Sequence, residues 1–387
     1  MGVPLVPVGP EPRDVLRALR ATLDGAGPAL ALGSPIGAGA PPSEAPAGTA
    51  VVVTTSGSTG VPKSVVLSRS ALIASATATA GRLGDGRWLL ALAPSYVAGL
   101  QVLVRSLLAG HEPAVLSGSF SPAAFAAVTA SMRSSVGGQS VPVYTSLVPA
   151  QLADLLDAAE TDAAVAASLR AYSAILVGGQ ALPAAQRERA IEAGARIVRT
   201  YGSTETSGGC VYDGVPLDGT GLRIEAGEVQ VSGPTLADGY LGDAARTASA
   251  FVVDDGRRWY RTGDAGDIRD GVLRVTGRID NVIVSGGVNV SLDRVESVVR
   301  ELPGLSGAVV VAVADDRWGE ASVVVVRDRA LADGGADATS ALAAIRDAVA
   351  ARLGKPARPS RVVTVAEVPL LASGKPDRAA VRRLLAI

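Results

Sequence analysis

Five short segments carry the residue types of polyphosphate chemistry. The first is Thr54-Thr-Ser-Gly-Ser-Thr-Gly-Val-Pro-Lys-Ser64, directly after an apolar run. Glycines such as Gly57 and Gly60 let backbone N–H groups approach phosphate oxygens. The hydroxyls of Ser56, Ser58 and Thr59 can donate, and Lys63 supplies positive charge. Gly57 to Ser64 nearly fits the phosphate-loop pattern G-x-x-x-x-G-K-[ST], but Pro62 stands at the second glycine. Proline has no N–H and a fixed φ, which argues against a P-loop kinase or GTPase. A surface Ser/Gly loop is the plainer alternative.

The second segment is Tyr201-Gly-Ser-Thr-Glu-Thr206. A tyrosine can stack on a purine, a hydroxyl can bind phosphate, and a carboxylate can hold Mg²⁺ together with a nucleotide. A strand-end turn would look the same. In Tyr260-Arg-Thr-Gly-Asp264 the lone acid could accept two ribose hydroxyls, or simply occupy a tight turn. Gly277-Arg-Ile-Asp-Asn281 with Ser285-Gly-Gly-Val-Asn289 is the fourth element. Ser373-Gly-Lys-Pro-Asp377 is the fifth, and by itself it reads as a solvated lysine on a loop.

These loops need strands and helices to hold them. Ala50–Thr54 is a short apolar run of the kind that makes a buried parallel strand. A helical stretch is expected from Ser70 to Leu83. The alternation then continues with a strand near Trp88–Ala93, a helix over Gly99–Leu108, a strand near Ala114 and a helix over Pro122–Met132. Helices over Pro149–Ala159 and Pro183–Ala193 flank a strand at Ser173–Val177, and Arg196–Thr200 is a further strand. This is α/β layering with largely parallel sheets. After Gly208 the pattern turns β-rich. After Arg278, helices and strands mix in an α+β unit of about 110 residues, a size that can fold alone. The texture places a boundary near Asp280, giving expected domains of 1–279 and 280–387.

Composition narrows the function classes. Lys and Arg number 36 against 37 Asp and Glu, a net charge of −1, with 48% hydrophobic and 19% charged residues. Such a chain can build packed cores, and it lacks the basic surplus of a nucleic-acid or anionic-membrane binder. One cysteine, Cys210, and one histidine, His111, leave no internal disulfide and no Cys₂His₂ zinc site. No apolar run reaches the roughly 18 residues of a membrane helix, and no basic region precedes an apolar stretch at the start. A cytoplasmic protein without membrane insertion is expected.

Taken in order, the five segments resemble the core motifs of the adenylate-forming superfamily: acyl- and aryl-CoA ligases, peptide-synthetase adenylation domains and luciferases. The match runs from about Val51 to Arg378. Val97–Ser106, Tyr144–Leu152 and Thr206–Asp218 further resemble the short actinobacterial o-succinylbenzoate–CoA ligases of menaquinone biosynthesis. The resemblance implies a large N-terminal domain of layered α/β sheets with a β-rich subdomain, and a small α+β C-terminal domain on a hinge. It implies ATP, Mg²⁺ and CoA as reactants and cofactor, a small aryl carboxylate as substrate, and no nucleic-acid partner; a homodimer is compatible with it. The implied activity is acyl-adenylate formation followed by thioester formation.

Carried over motif by motif, Thr55, Ser56, Gly57, Ser58, Thr59, Gly60 and Lys63 would hold the β- and γ-phosphates. Tyr201 would stack on adenine beside Gly202, Ser203, Gly178 and Gly179. Thr204 would contact phosphate, Glu205 would hold Mg²⁺, and Asp264 would bind ribose with Arg278 nearby. Lys375 would reach the reacting carboxylate and α-phosphate, as a protonated lysine with the ordinary pKa of ~10.4. Asp280 would be the hinge, and Ser285, Gly286 and Gly287 would line the CoA channel.

For the acyl substrate, Tyr96, Gly99, Gln101, Arg105, Ser146, Gln151, Ser207 and Gly208 are the candidates. Gln101 and Arg105 share a helix face at i, i+4 and could meet a second carboxylate; for Arg105 a structural salt bridge is the alternative. Two departures stand out. Tyr96 replaces the histidine common in this superfamily, and Asn281 replaces a second acid after the hinge. Other readings are a ligase for another acid with CoA, a carrier protein or an amine as acceptor, and a non-catalytic nucleotide-binding homologue.

Overall fold

Val-rich runs form the strands and Ala-rich stretches the helices, so the interior is made of small aliphatic side chains. The computed structural model describes residues 2–33, 43–55, 62–132, 135–136, 138–315, 318–328, 338–371 and 374–385. Ser56, Gly57, Ser58, Thr59 and Gly60 of the first loop lie outside the described residues.

Thr49–Thr55 (β1) enters a six-stranded sheet, with Val51, Val52 and Val53 all buried. The sequence suggests that a helix follows the first loop. The structure instead has an antiparallel strand, Lys63–Ser68 (β2), pairing Thr55 with Lys63 and Val53 with Val65. Val65, Val66 and Leu67 need burial on the sheet, and only then does Ser68 cap the helix Arg69–Leu83 (α1), accepting from the Ala71 N–H. The loop therefore closes a hairpin, which is not the strand–loop–helix geometry of a P-loop.

The second sheet has seven strands. Arg87–Leu90 (β3), Val143–Leu147 (β4), Ala174–Val177 (β5) and Ile197–Ser203 (β6) run parallel; the apolar runs suggest all but β4, which the sequence patterns left unassigned. Helix Val97–Leu108 (α2) packs on α1 and β3. Gly208–Tyr212 (β7) folds back antiparallel to β6, pairing Ser203 with Gly208. Parallel strands present their carboxyl ends at one edge, and the loops after β3, β4, β5 and β6 gather there. A third, antiparallel sheet is built around the long strand Arg257–Arg269 (β8), on which Val272–Arg278 (β9) pairs Arg278 with Asp264.

Beyond Asp280, strands Val282–Ser285 (β10) and Val288–Ser291 (β11) form a hairpin. The helix Leu292–Arg300 (α3) follows, then strands 309–315, 319–327 and 361–365, the helix 338–353, and the helix Arg378–Leu385 (α4). Buried apolar clusters draw on separate stretches of the chain. Three draw only on residues up to Leu273, and two only on residues from Ile283 onward. The strands 3–7 and 29–32 and the helices 12–23 and 163–171 are elements the sequence patterns left unassigned. Among the described residues no helix is long and apolar enough to cross a membrane.

Candidate active site

The carboxyl edge of the second sheet is where the chemistry collects. After β6 the chain makes one 3-10 turn, Thr204–Thr206, that drives Glu205 inward to 2% exposure. Thr206 ties this turn shut, its hydroxyl accepting from the Ser203 N–H at 2.8 Å. Gly202 makes the fold-back possible: a Cβ there would lie 2.1 Å from the Gly208 oxygen. Ser207 sits at φ 54°, the left-handed turn that starts β7.

Lys63, at the head of β2, donates to Glu205 Oε1, and the Tyr240 hydroxyl donates to the same oxygen at 2.9 Å. Burial alone would raise the Glu205 pKa. Lys63 and the hydrogen bonds it receives from Lys63, the backbone and Tyr240 outweigh this and hold it below the usual range. Tyr240 is a residue the sequence reading missed; its only signal was an aromatic next to a short strand, and pairing of 239–240 with β2 brings it in.

Asp264 lies on β8 opposite Arg278. The Tyr201 hydroxyl donates to Asp264 Oδ2 at 2.7 Å and Arg278 Nη1 donates to Oδ1 at 3.1 Å. Burial pushes the Asp264 pKa up against these bonds. A carboxylate offers about four acceptor sites, so two remain for a diol. Arg278 also forks onto Asp280, at 2.9 and 3.0 Å, and holds the Asp280 carboxyl below its ordinary range. Tyr201, Asp264, Arg278 and Asp280 thus form one connected unit from three separate motifs.

Lys375 completes the site from the far end of the chain. Its loop is fixed by Leu371 N–H donating to the Lys375 oxygen at 2.7 Å, and it seats against the second sheet's loops. Gln180 donates to the Gly374 oxygen at 3.4 Å, and an added Cβ at Gly179 would lie 3.5 Å from Lys375 Cε. Lys375 is exposed to solvent, and the groups around its amine partly desolvate it. That desolvation lowers its pKa. Asp264 and Glu205 pull it back up, while Lys63 and Arg278 push with the desolvation. The small unit therefore sits with its lysine beside Gly179 and Gln180, at the carboxyl edge of the second sheet.

The donor set fits Mg²⁺: Thr204 and Glu205 offer hard oxygen ligands, and Glu205 Oε1 carries both side-chain contacts, leaving Oε2 available. Among the described residues no group of three or more His, Cys, Asp or Glu could hold a metal. A cation here would take its other ligands from phosphates and water, as Mg²⁺ commonly does. Thr55 Oγ1, at the rim of the first loop, is buried without a partner among the described residues.

The acyl candidates divide. Tyr96 begins α2, Gly99 closes the turn onto Ala93, and Gln101 packs its Cγ toward Gly208. Gln101, Ser146 and Ser207 are buried, and the Gln101 Oε1 and Ser207 Oγ atoms have no partner among the described residues. Gln151 is engaged in fold maintenance: it accepts from Val148 N–H at 3.1 Å and donates to the Ala91 oxygen at 3.0 Å. Arg105 lies one turn further along α2, near Tyr212 at the opposite end of β7 from Gly208. Its guanidinium stacks on Trp88 at 4.9 Å, contacts the Tyr212 hydroxyl at 3.4 Å, and lines a cavity of about 270 Å³ between α1 and α2. No carboxylate pairs with it among the described residues, so the salt-bridge alternative is not realised. Ser285, Gly286 and Gly287 form the turn of the β10–β11 hairpin; Gly286 (φ 57°) and Gly287 (φ 79°) give it its reversed hand, and Trp318 covers Gly286.

Comparison with known proteins agrees with this architecture. The chain matches the family model described as AMP-binding enzyme over residues 11–241, and the AMP-binding enzyme C-terminal domain over 294–375. It is 40% identical to the probable 2-succinylbenzoate–CoA ligase of Mycobacterium tuberculosis over 98% of this chain and 97% of that protein. The amide bond synthetase McbA of Marinactinospora thermotolerans superposes with a TM-score of 0.71 at 28% identity, covering 93% of this chain and 76% of McbA. The o-succinylbenzoate coenzyme A synthetase of Bacillus subtilis, solved with AMP, gives 0.71 at 25% identity, covering 95% and 80%. With both family models matched in one chain, this protein belongs to the AMP-binding enzyme family.

Proposed function

We propose that this protein is an ATP-dependent o-succinylbenzoate–CoA ligase of the cytoplasm, working through an acyl-adenylate, with residues 1–279 as the nucleotide and acyl domain and 280–387 as the mobile domain. The observation that carries the reading is Lys375, whose C-terminal loop seats on Gly179 and Gln180 at the edge of the sheet that also presents Glu205. In the first step a carboxylate oxygen attacks the α-phosphorus of ATP and pyrophosphate leaves. Lys375 orients the two anions and offsets charge that develops between them. Lys63, Thr204 and the first loop hold the departing phosphates; Tyr201 and Asp264 fix the nucleoside. Glu205 would hold Mg²⁺, which when bound neutralises phosphate charge. In the second step the CoA thiol attacks the acyl carbon, AMP leaves, and the thiol proton goes to solvent. For this step the small domain turns about Asp280 and offers the Ser285–Gly287 turn to the pantetheine channel.

The full-length similarity to a probable 2-succinylbenzoate–CoA ligase supports a dicarboxylate. Arg105, expected to meet the second carboxylate, instead lines a cavity at the amino end of β3 with Asp85 and Trp88, so the substrate's second carboxylate needs another partner. Tyr96, in the histidine position, and the likeness to an amide bond synthetase favour a second reading, adenylation with an amine as acceptor. Product analysis by mass spectrometry separates them: ATP, Mg²⁺, CoA and o-succinylbenzoate, beside a panel of benzoates, fatty acids and amines. AMP and o-succinylbenzoyl-CoA are the expected products. AMP with an amide, or a thioester only from another acid, overturns the assignment.

A further inference from the structure

The segment joining the two units is held by one carboxylate that no motif predicts. Asp293, in the first turn of α3, accepts from the Arg278 backbone N–H at 2.7 Å through Oδ2, and from Asn281 Nδ2 at 2.7 Å through Oδ1. Arg278 is the last residue of β9 and is anchored to the large unit through Thr262 and Asp264. Asp293 and Asn281 lie beyond Asp280 and belong to the small unit. The Arg278–Asp293 bond therefore crosses the hinge, whereas the Asn281–Asp293 bond does not. Close packing supports the same contact: a Cβ at Gly277 would lie 2.7 Å from Asp293 Cβ, so only glycine lets α3 approach the strand.

The same helix is tied to the catalytic loop. Arg378, three residues after Lys375, pairs with Glu296 at 2.8 Å and stands 3.6 Å from Asp293. We propose that Asp293 is a positioning residue, a latch that holds the small unit in the pose that inserts Lys375, with Asn281 orienting its carboxylate. Turning about Asp280 changes the backbone between Arg278 and Asn281 and must break the Arg278 bond. Asn281 fits this role because it donates; an acid in its place would set two carboxylates against each other. The proposal rests on the two-step reading above.

Asp293→Ala tests it in the full chain. A hydrogen bond to a charged acceptor is lost, so pyrophosphate release should slow about tenfold. Thioester formation from preformed acyl-adenylate should hold or quicken, and Asn281→Asp should give the same split. Equal losses in both half-reactions, or no loss of adenylation in either variant, overturn the latch. Residue-resolved hydrogen exchange at the Arg278 amide needs no acid. Faster exchange in Asp293→Ala than in the unmodified chain is expected, and unchanged exchange overturns the proposal even if no acid is found to be adenylated.

Discussion

Lys375 and Glu205 both have lowered pKa values, which disfavours the charge of the lysine and favours that of the glutamate. Lys375 has its pKa lowered by desolvation, so it loses its proton at lower pH than a free lysine. The alkaline limb of kcat/KM for adenylation should therefore fall below the ordinary lysine range, and Lys375→Arg should remove the limb from the measured window. Lys375→Ala should abolish most pyrophosphate release while sparing thioester formation from supplied acyl-adenylate; equal loss in both sinks the assigned role. Glu205 has its folded pKa depressed. Its ion pair contributes stability above the unfolded carboxylate pKa, and that stability is lost as pH falls through the folded value. Lys63→Met leaves the carboxylate buried and unpaired, which costs about 3 kcal/mol and raises its pKa. Urea midpoints between pH 4 and 8 should then fall with rising pH from this site, opposite to the unmodified chain. Cys210, buried with its thiol pushed up to about 12, takes no part in this chemistry.

The β6–turn–β7 element is where backbone geometry and site chemistry depend on each other. Glu205 points inward because the chain reverses within one 3-10 turn, and the reversal needs Gly202 beneath the Gly208 carbonyl. Gly202→Ala should cost about 1–3 kcal/mol from overpacking and also weaken nucleotide affinity, since Tyr201 and Thr204 flank it. A lowered urea midpoint with unchanged AMP affinity would separate the fold from the site and contradict this coupling. The β1–β2 hairpin works similarly: Thr55 pairs with Lys63 across it, and that pairing sets Lys63 against Glu205.

For the whole molecule, the cleft is complete only when the small unit is seated. Gly374 is at φ 77°, and a Cβ there would lie 3.0 Å from Val148 Cγ2. Gly374→Ala should hold the small unit away from the second sheet. The expected result is a large loss of adenylation with little change in the second half-reaction, read with preformed acyl-adenylate. Loss in both would mean the substitution unfolds the loop rather than displacing the unit.

Much of this was legible in the chain. Short apolar runs marked β1, β3 and β5, because buried strands need no polar alternation; β6 was marked although only half-buried, and β4 escaped. The buried clusters divide between Leu273 and Ile283, in the stretch where the texture of the sequence also changes. The motif residues Tyr201, Glu205, Asp264, Arg278 and Lys375 carry their chemistry in side-chain type, which sequence displays directly. Strand β2 escaped because helix and strand compete for a short run of Val and Leu, and pairing with β1 decides. Tyr240, Asp293 and Gln180 also escaped, since their roles come from neighbours remote in the chain. The exact partners of Arg105 and Gln151 belong to the same class: one is left without a carboxylate and the other is bound to backbone, by packing alone. Local sequence sets which chemistry is available; long-range sheet pairing and the seating of the small unit decide which groups meet, because those contacts join residues that no local pattern connects.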